Sequence, residues 1–137
     1  MRGARIERKT AEQLCAMRVA GLVVARTLGR LRAEAGAGVT TAHLDLIARD
    51  EIARAGAVSS FLGYDAGYGL PPFPGVTCIS VNSEVVHGIP GDRVLSDGDL
   101  VSIDFGVSVD GWHGDSAITF AVGASSPDRL RLSEVTC

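Results

Sequence analysis

The 137-residue sequence is poor in the features that mark disulfide-stabilised and membrane-spanning proteins. Its three cysteines (Cys15, Cys78 and Cys137) are odd in number and form no C-x-x-C pair. This excludes a disulfide framework and fits reduced thiols in the cytoplasm. The longest apolar run near the start, residues 19–25, is far too short to span a bilayer, and no signal peptide precedes it. We therefore expect a cytoplasmic protein that does not enter the membrane.

The sequence also lacks a large excess of positive or negative charge. A net charge of −3 gives no electrostatic reason to expect binding to nucleic acid or to an anionic membrane. The exception is the basic segment 1–9, which we interpret as a flexible leader rather than a binding tail. Low-complexity segments and internal repeats are absent, and an apolar fraction of 46% excludes a disordered chain. The length allows one domain with a real core.

An amphipathic helix is predicted after the leader. Thr10 and Gln13 form a capping-box pattern at its start, and it should end near Ala35 because glycines follow. Residues at three- and four-residue steps predict a buried stripe of Leu14, Met17, Gly21, Val24, Leu28 and Leu31. On this stripe Met17 is interpreted as a residue that fills the core.

A second helix is capped by Thr40 or Thr41 and ends at Gly56. Its predicted apolar face consists of Leu44, Ile47, Ala48 and Ile52. His43 lies in the first turn and is interpreted as a surface residue, since no second ligand lies at helical spacing from it.

The rest of the chain is typical of strands and turns. Extended segments are predicted at residues 57–64, 76–81 and 84–87, and loops at 65–72 and 96–99. Residues 126–128 read Ser-Pro-Asp and predict the start of another helix, which occupies part of 124–137.

Two β-type runs, residues 101–107 and 113–122, flank Asp110-Gly111, a strong signal for a two-residue hairpin. Such a turn places Asp104 opposite Ala117 and Gly106 opposite Asp115, so the two aspartates lie diagonally on one face. The other face is apolar and contains Val101, Ile103, Phe105, Val107, Ile118 and Phe120. The carboxylates are either ordinary groups on a solvated face or the ligands of a shared cation, and the second is the leading interpretation.

Three segments of this region carry a resemblance to a known family. They read V-N-S-E-V-V-H-G-I-P at 81–90, D-G-D-L-V-S-I-D-F-G at 97–106 and D-G-W-H-G-D-S at 110–116. With earlier matching segments, they resemble the type I methionine aminopeptidases of the creatinase-like pita-bread fold. The resemblance implies an α+β fold limited to its first half, with two N-terminal helices and an antiparallel sheet. Residues 10–123 would form the N-terminal half of the catalytic domain, and 124–137 the start of a helix cut short.

The resemblance also implies the chemistry. Asp104 and Asp115 would be ligands of a site for two divalent metal ions (cobalt, manganese, iron or zinc), and His87 would lie beside the scissile peptide bond. The substrate would be the N-terminal methionine of nascent proteins. His113 does not match a ligand position of the family and is expected to play a supporting or structural role.

Four residues match the part of the family that lines the methionine pocket: Phe61, Tyr64, Phe73 and Cys78. Extra residues stretch the family pattern within 63–74, so Tyr68 competes with Tyr64 and Phe73 for a place in the pocket. Cys78 can equally be a small buried apolar residue.

The remaining metal ligands of the family, one histidine and two glutamates, have no counterpart in this sequence. We therefore expect the chain alone to lack activity and to self-associate through an exposed sheet edge and apolar face. Two alternatives stay open. One is an inactive relic or binding module with the same fold, and the other is a related Xaa-Pro aminopeptidase or prolidase.

Overall fold

The structure, a computed structural model, describes residues 8–65, 67 and 69–135. In these ranges the elements are α1 (Ala11–Glu34), α2 (Thr41–Ala55), β1 (Val58–Ser59), β2 (Thr77–Val81), β3 (Leu100–Val109), β4 (Trp112–Ala121) and α3 (Pro127–Val135). The predicted α+β class is confirmed. Most of the proposed leader and Tyr68 lie outside the described residues. None of the described helices is long and apolar enough to cross a membrane.

The start of α1 agrees with the capping-box prediction. Gln13 N donates to Thr10 Oγ1 at 3.3 Å, and Thr10 N donates to Gln13 Oε1 at 2.8 Å. The predicted stripe is wrong in the first two turns, where Leu14 is 56% exposed and Met17 is 36% exposed, and at Gly21, which is also exposed. Burial begins only at Ala20, where the helix reaches β4, so Met17 does not fill the core.

Helix α2 is as predicted. Thr40 Oγ1 accepts a hydrogen bond from His43 N, and Gly56 ends the helix in the left-handed region at φ 60°. His43 itself is exposed. Leu44, Ile47 and Ala48 are buried, and Ile52 is partly buried at the edge of the core.

The hairpin register is confirmed. Asp104 pairs with Ala117 and Gly106 pairs with Asp115, across a turn in which Asp110 and Gly111 both have positive φ. On the other edge of β3, β2 pairs with residues 101–105 and the short β1 pairs with residues 107–108. The four strands therefore form one antiparallel sheet, with β4 along one edge of β3.

The core lies on one face of this sheet, under α1 and α2. The alternate β3 residues Val101, Ile103, Phe105 and Val107 are all fully buried there. On the same face, Gly114 of β4 touches α1, and a Cβ at this position would lie 2.7 Å from Gly21 N. Because the helices cover this face, the opposite face of the sheet is the one available for a site.

Two segments differ from prediction. The extended segment 57–64 contains only the two-residue β1, and residues 84–87 form no strand. After Asn82, at φ 58°, the chain doubles back, and the Gly88 carbonyl accepts from Ile79 N at 2.9 Å. Helix α3 begins as predicted after Ser126, but none of its described residues is buried.

Candidate metal centre

The open face of the sheet arranges its side chains in rows across the strands. Cys78, Asp104 and Ala117 form one row, because each pairs with its neighbour in the ladder. Gly106 and Asp115 form the next row. The sequence-predicted aspartates are therefore one row apart on adjacent strands.

The two carboxylates interact directly. Partial burial raises the pKa of Asp104, and the negative charge of Asp115 and a hydrogen bond with it raise the pKa further. The opposing influences on this pKa include the nearby His87. Two carboxylates this close repel each other when both are ionised, and a bound cation would remove that repulsion.

Gly106 makes room for this arrangement. A Cβ at Gly106 would lie 2.7 Å from Asp115 Oδ2 and 3.1 Å from Phe61 Cε1. Distances this short mean that any side chain at this position would displace either the carboxylate or the ring. The missing side chain thus lets Asp115 lie across β3 toward Asp104 and brings Phe61 beside it.

His87 is held over the sheet by its neighbour Gly88. Gly88 N donates to Ser80 Oγ at 3.1 Å, and a Cβ at Gly88 would lie 2.1 Å from Ile79 O. His87 itself has φ 57°, a strained value for a residue with a side chain. Only a glycine at position 88 lets the loop approach β2 this closely.

A pocket of about 230 Å³ separates this loop from the sheet. His87 and Asp104 both line it, together with Cys78, Ser80, Val85, Val86, Ser102, Ala117 and Thr119. The structure therefore brings the sequence-predicted residues His87, Asp104 and Cys78 to one cavity. Asp115 interacts with Asp104 and so lies next to this cavity.

Cys78 is 7% exposed in the wall of this pocket. Burial raises the pKa of its thiol to about 11, and the charges of Asp104, Asp115 and Asp45 act in the same direction. The thiol is neutral at physiological pH, so it acts as a small apolar surface rather than as a thiolate nucleophile.

The aromatic residues lie beside this pocket rather than in its wall. Phe61 is partly buried against the Gly106 row, as its short distance to that glycine shows. Phe73 is held by backbone hydrogen bonds to residues 63–64: Phe73 N donates to Tyr64 O and Gly63 N donates to Phe73 O, both at 2.9 Å. Tyr64 is 64% exposed.

His113 lies on the same face as Asp115, as predicted by parity. Its Nδ1 is 3.3 Å from Ser60 Oγ, which connects β4 to the segment after β1. This contact gives His113 a structural partner and agrees with a supporting role.

Sequence reasoning missed Asp45, a buried carboxylate on α2. It is 5% exposed and accepts from Val76 N, Thr77 N and Thr77 Oγ1 at 2.8–2.9 Å. Arg49 donates to Asp45 at 2.8 Å and to Pro74 O at 2.8 Å. The Asp45–Arg49 pair fixes the start of β2, the strand that carries Cys78. In the sequence, the available signal for this role was the spacing of Asp45 and Arg49, four residues apart, with the aspartate next to the apolar face of α2.

The donor set of the open face suits a divalent cation, since both candidate ligands are carboxylates. Within the described ranges, no group of three or more His, Cys, Asp or Glu side chains could hold a metal ion. Asp104 and Asp115 therefore fit part of a metal shell and leave the rest of it to other ligands.

Comparisons with known proteins all point to the same family. The model of metallopeptidase family M24 matches residues 15–136. Methionine aminopeptidase 1 of Mycobacterium tuberculosis is 49% identical over 138 residues, which cover 99% of this chain and 50% of that protein. Methionine aminopeptidase 1 of Bacillus subtilis is 48% identical over 128 residues, which cover 93% of this chain and 49% of that protein.

Solved structures extend the likeness to the fold. A methionine aminopeptidase from Rickettsia prowazekii superposes with a TM-score of 0.89 at 35% identity, covering 96% of this chain and 51% of that one. An X-Pro aminopeptidase from Thermotoga maritima reaches 0.66 at 19% identity, over 88% of this chain and 31% of that one, which shows a shared fold alone. The chain spans about half the length of the curated relatives it matches. The predicted pita-bread fold is confirmed.

Proposed function

Because the chain belongs to metallopeptidase family M24, we propose that it carries one side of a methionine aminopeptidase centre that removes N-terminal methionine from nascent proteins. The observation that carries the proposal is the Asp104–Asp115 pair, with His87 held over the same pocket. The identities and TM-scores favour the methionine-specific relatives over the X-Pro enzymes.

Asp104 and Asp115 would hold the metal, and we propose two divalent ions, of cobalt, manganese, iron or zinc. When bound, such ions supply a nucleophile at neutral pH by lowering the pKa of a water molecule to about 7. The carboxylate pair also gives the pocket a negative potential that attracts the α-ammonium of a free N-terminus. This attraction suits an exopeptidase.

His87 would contact the substrate rather than the metal. His87 lines the pocket, and its imidazole would hydrogen-bond to the scissile amide and stabilise charge that develops there. Cys78 and Phe61 are proposed to contact the methionine side chain, because the neutral thiol and the ring flank the carboxylates. Phe73 and Tyr64 stay predictions for the outer part of the pocket.

The cytoplasm is the proposed location, from the reduced thiols, and a second copy of the chain is the proposed partner in self-association. Two features support self-association. In the described ranges β4 pairs only with β3, and Leu130, Leu132 and Val135 of α3 are between 43% and 71% exposed. Size-exclusion chromatography that shows a single monomer at all concentrations would contradict this proposal.

A second candidate function is that of an inactive relic or binding module. It is favoured by the lack of a third metal-ligating side chain beside the aspartates in the described ranges. On this reading the pocket would be occupied by a peptide without being a site of hydrolysis.

Metal binding tests the site directly. We expect the 137-residue chain to bind Mn²⁺ or Co²⁺ weakly in calorimetry, because two carboxylates cannot close a coordination shell. Asp115→Asn should abolish the binding, and Asp50→Asn, which changes an exposed aspartate on α2, should leave it intact. Tight binding of two ions by the chain alone would show that the shell is completed by residues that we have not identified.

Activity tests the function. A chimera would join this chain to the second half of the Bacillus subtilis relative, with methionine release from a Met-Ala-Ser peptide followed by mass spectrometry. We expect release by the chimera, none by the chain alone, and lower turnover with unchanged metal content in the His87→Ala chimera. A chimera that folds and binds metal but releases no methionine would favour the binding module.

A further inference from the structure

A cleft lies between the two long helices, on the side of the sheet opposite to the carboxylate pair. It has a volume of about 170 Å³ and opens to solvent. Its walls are Val23, Arg26, Thr27, Glu51, Arg54 and Ala55. One water requires roughly 10–15 Å³ of such space, so the cleft has room for a small molecule or ion.

Two polar groups of this cleft lack partners within the described ranges. Thr27 is 1% exposed, and its hydroxyl oxygen has no hydrogen-bond partner there. A buried hydroxyl without a partner destabilises the fold, which makes it a candidate donor to something else. Arg26, the next residue, lines the same cleft, and its guanidinium forms no hydrogen bond or ion pair with any described residue.

Glu51 and Arg54, the other charged residues that line the cleft, are already paired. Glu51 Oε1 accepts from Arg54 and also from Arg30, which does not line the cleft, so this carboxylate is neutralised by its own neighbours. The C-terminal end of α2 adds a partial negative charge equivalent to roughly half a unit. The guanidinium groups of Arg26 and Arg54, with that of Arg30 on the Glu51 carboxylate, outweigh this carboxylate and the dipole, so the local charge is positive.

We propose that this cleft between α1 and α2 binds a small oxyanion, such as a phosphate or a carboxylate. Arg26 would donate two parallel N–H bonds to the anion, a geometry that matches both groups. The Thr27 hydroxyl would donate to a further oxygen, and the remaining N–H groups of Arg54 would close the outer side. The ligand would bridge α1 and α2 and so stabilise the helical layer independently of the metal centre.

Thermal unfolding of the 137-residue chain, followed by circular dichroism, tests the site. A ligand that binds only the folded state raises Tm with its concentration. We expect sodium phosphate or sodium acetate to raise Tm relative to sodium chloride at equal ionic strength and pH. The increment should fall by more than half in Arg26→Gln and in Thr27→Val. It should be unchanged in Arg18→Gln, an exposed arginine of α1 outside the cleft.

The variants also separate binding from a general salt effect. Phosphate stabilises many proteins by exclusion from their surface, and that effect would be equal in all four proteins. Equal increments, or none in the wild type, would overturn the proposal. In chloride, Thr27→Val should be at least as stable as the wild type, because it removes an unpaired hydroxyl, and a loss of stability would contradict the assignment of Thr27 as a free donor. A rise in Tm with phosphate but not with acetate identifies the ligand as a tetrahedral oxyanion. An equal rise in Tm with acetate identifies it as a carboxylate.

Discussion

The two faces of the β3–β4 hairpin are built by different means. The covered face is an alternation of apolar residues, such as Ile103 and Phe105, that pack under α1 and α2 and are fully buried. The open face holds Asp104 and Asp115 with His87 above them, and it depends on close backbone approaches at Gly88 and Gly106. Stability resides mainly in the first face and the proposed function in the second, so substitutions on the two faces should have separable effects.

The largest effect is expected for Phe105→Ala. The ring is fully buried under the helices, and its loss should lower the free energy of unfolding by about 3–5 kcal/mol. The matched variant Phe61→Ala removes the same ring from the open face, where it is only partly buried, and should cost clearly less. Urea denaturation measures both, and equal losses would contradict the proposed division between the faces.

Gly88→Ala should cost less stability than Phe105→Ala but should disturb the site. The added Cβ would lie 2.1 Å from Ile79 O, which forces the His87 loop away from β2 at a cost of about 1–3 kcal/mol. The control is Gly91→Ala, three residues later, where the nearest atom is 4.0 Å away. Urea midpoints and the His87 imidazole signals in NMR compare the two. A Gly88→Ala protein with both unchanged would show that the loop is not held by this contact.

Asp104→Asn should have little effect on stability or raise it slightly. Asp104 is partly buried and faces the negative charge of Asp115, so the neutral amide removes a repulsion in the metal-free protein. The same substitution should abolish binding of Mn²⁺, because it removes one of the two proposed carboxylate ligands. Urea unfolding with and without metal measures both effects. A strongly destabilised Asp104→Asn protein would mean that the open face also supports the fold.

The sequence predicted the covered face well, because the rules that govern it are local. The alternation of Val101, Ile103 and Phe105, together with the two-residue turn at Asp110, was enough to fix the register. The same register placed Asp104 and Asp115 diagonally, so the carboxylate pair was also predictable. The stripe of α1 failed at Leu14 because periodicity does not say where a helix leaves the sheet.

The parts that could not be predicted depend on contacts between distant segments. The turn back at residues 84–87 exists because Gly88 bonds to Ile79 and Ser80, which no local pattern encodes. Asp45 looked like an ordinary helical acid, and only the fold brings Val76 and Thr77 to it. Contacts of this kind position the pocket, so the shape of the pocket was harder to predict than the positions of the two carboxylates.

The smallest effect is expected at the turn that leads into β3, where Asp99 lies away from both faces. The hydrogen bond from the Asn82 side chain, together with one from Ser96 N, lowers the pKa of Asp99. A carboxyl whose pKa is lower in the folded state stabilises the fold above its unfolded pKa of about 3.9 and loses this contribution as the pH falls through the folded pKa. Asp99→Asn should therefore be less stable than the wild type at neutral pH, by a small amount because the group is exposed to solvent screening. Urea midpoints measured down the acid range should converge for the two proteins, and a difference that stays constant with pH would show that Asp99 acts without its charge.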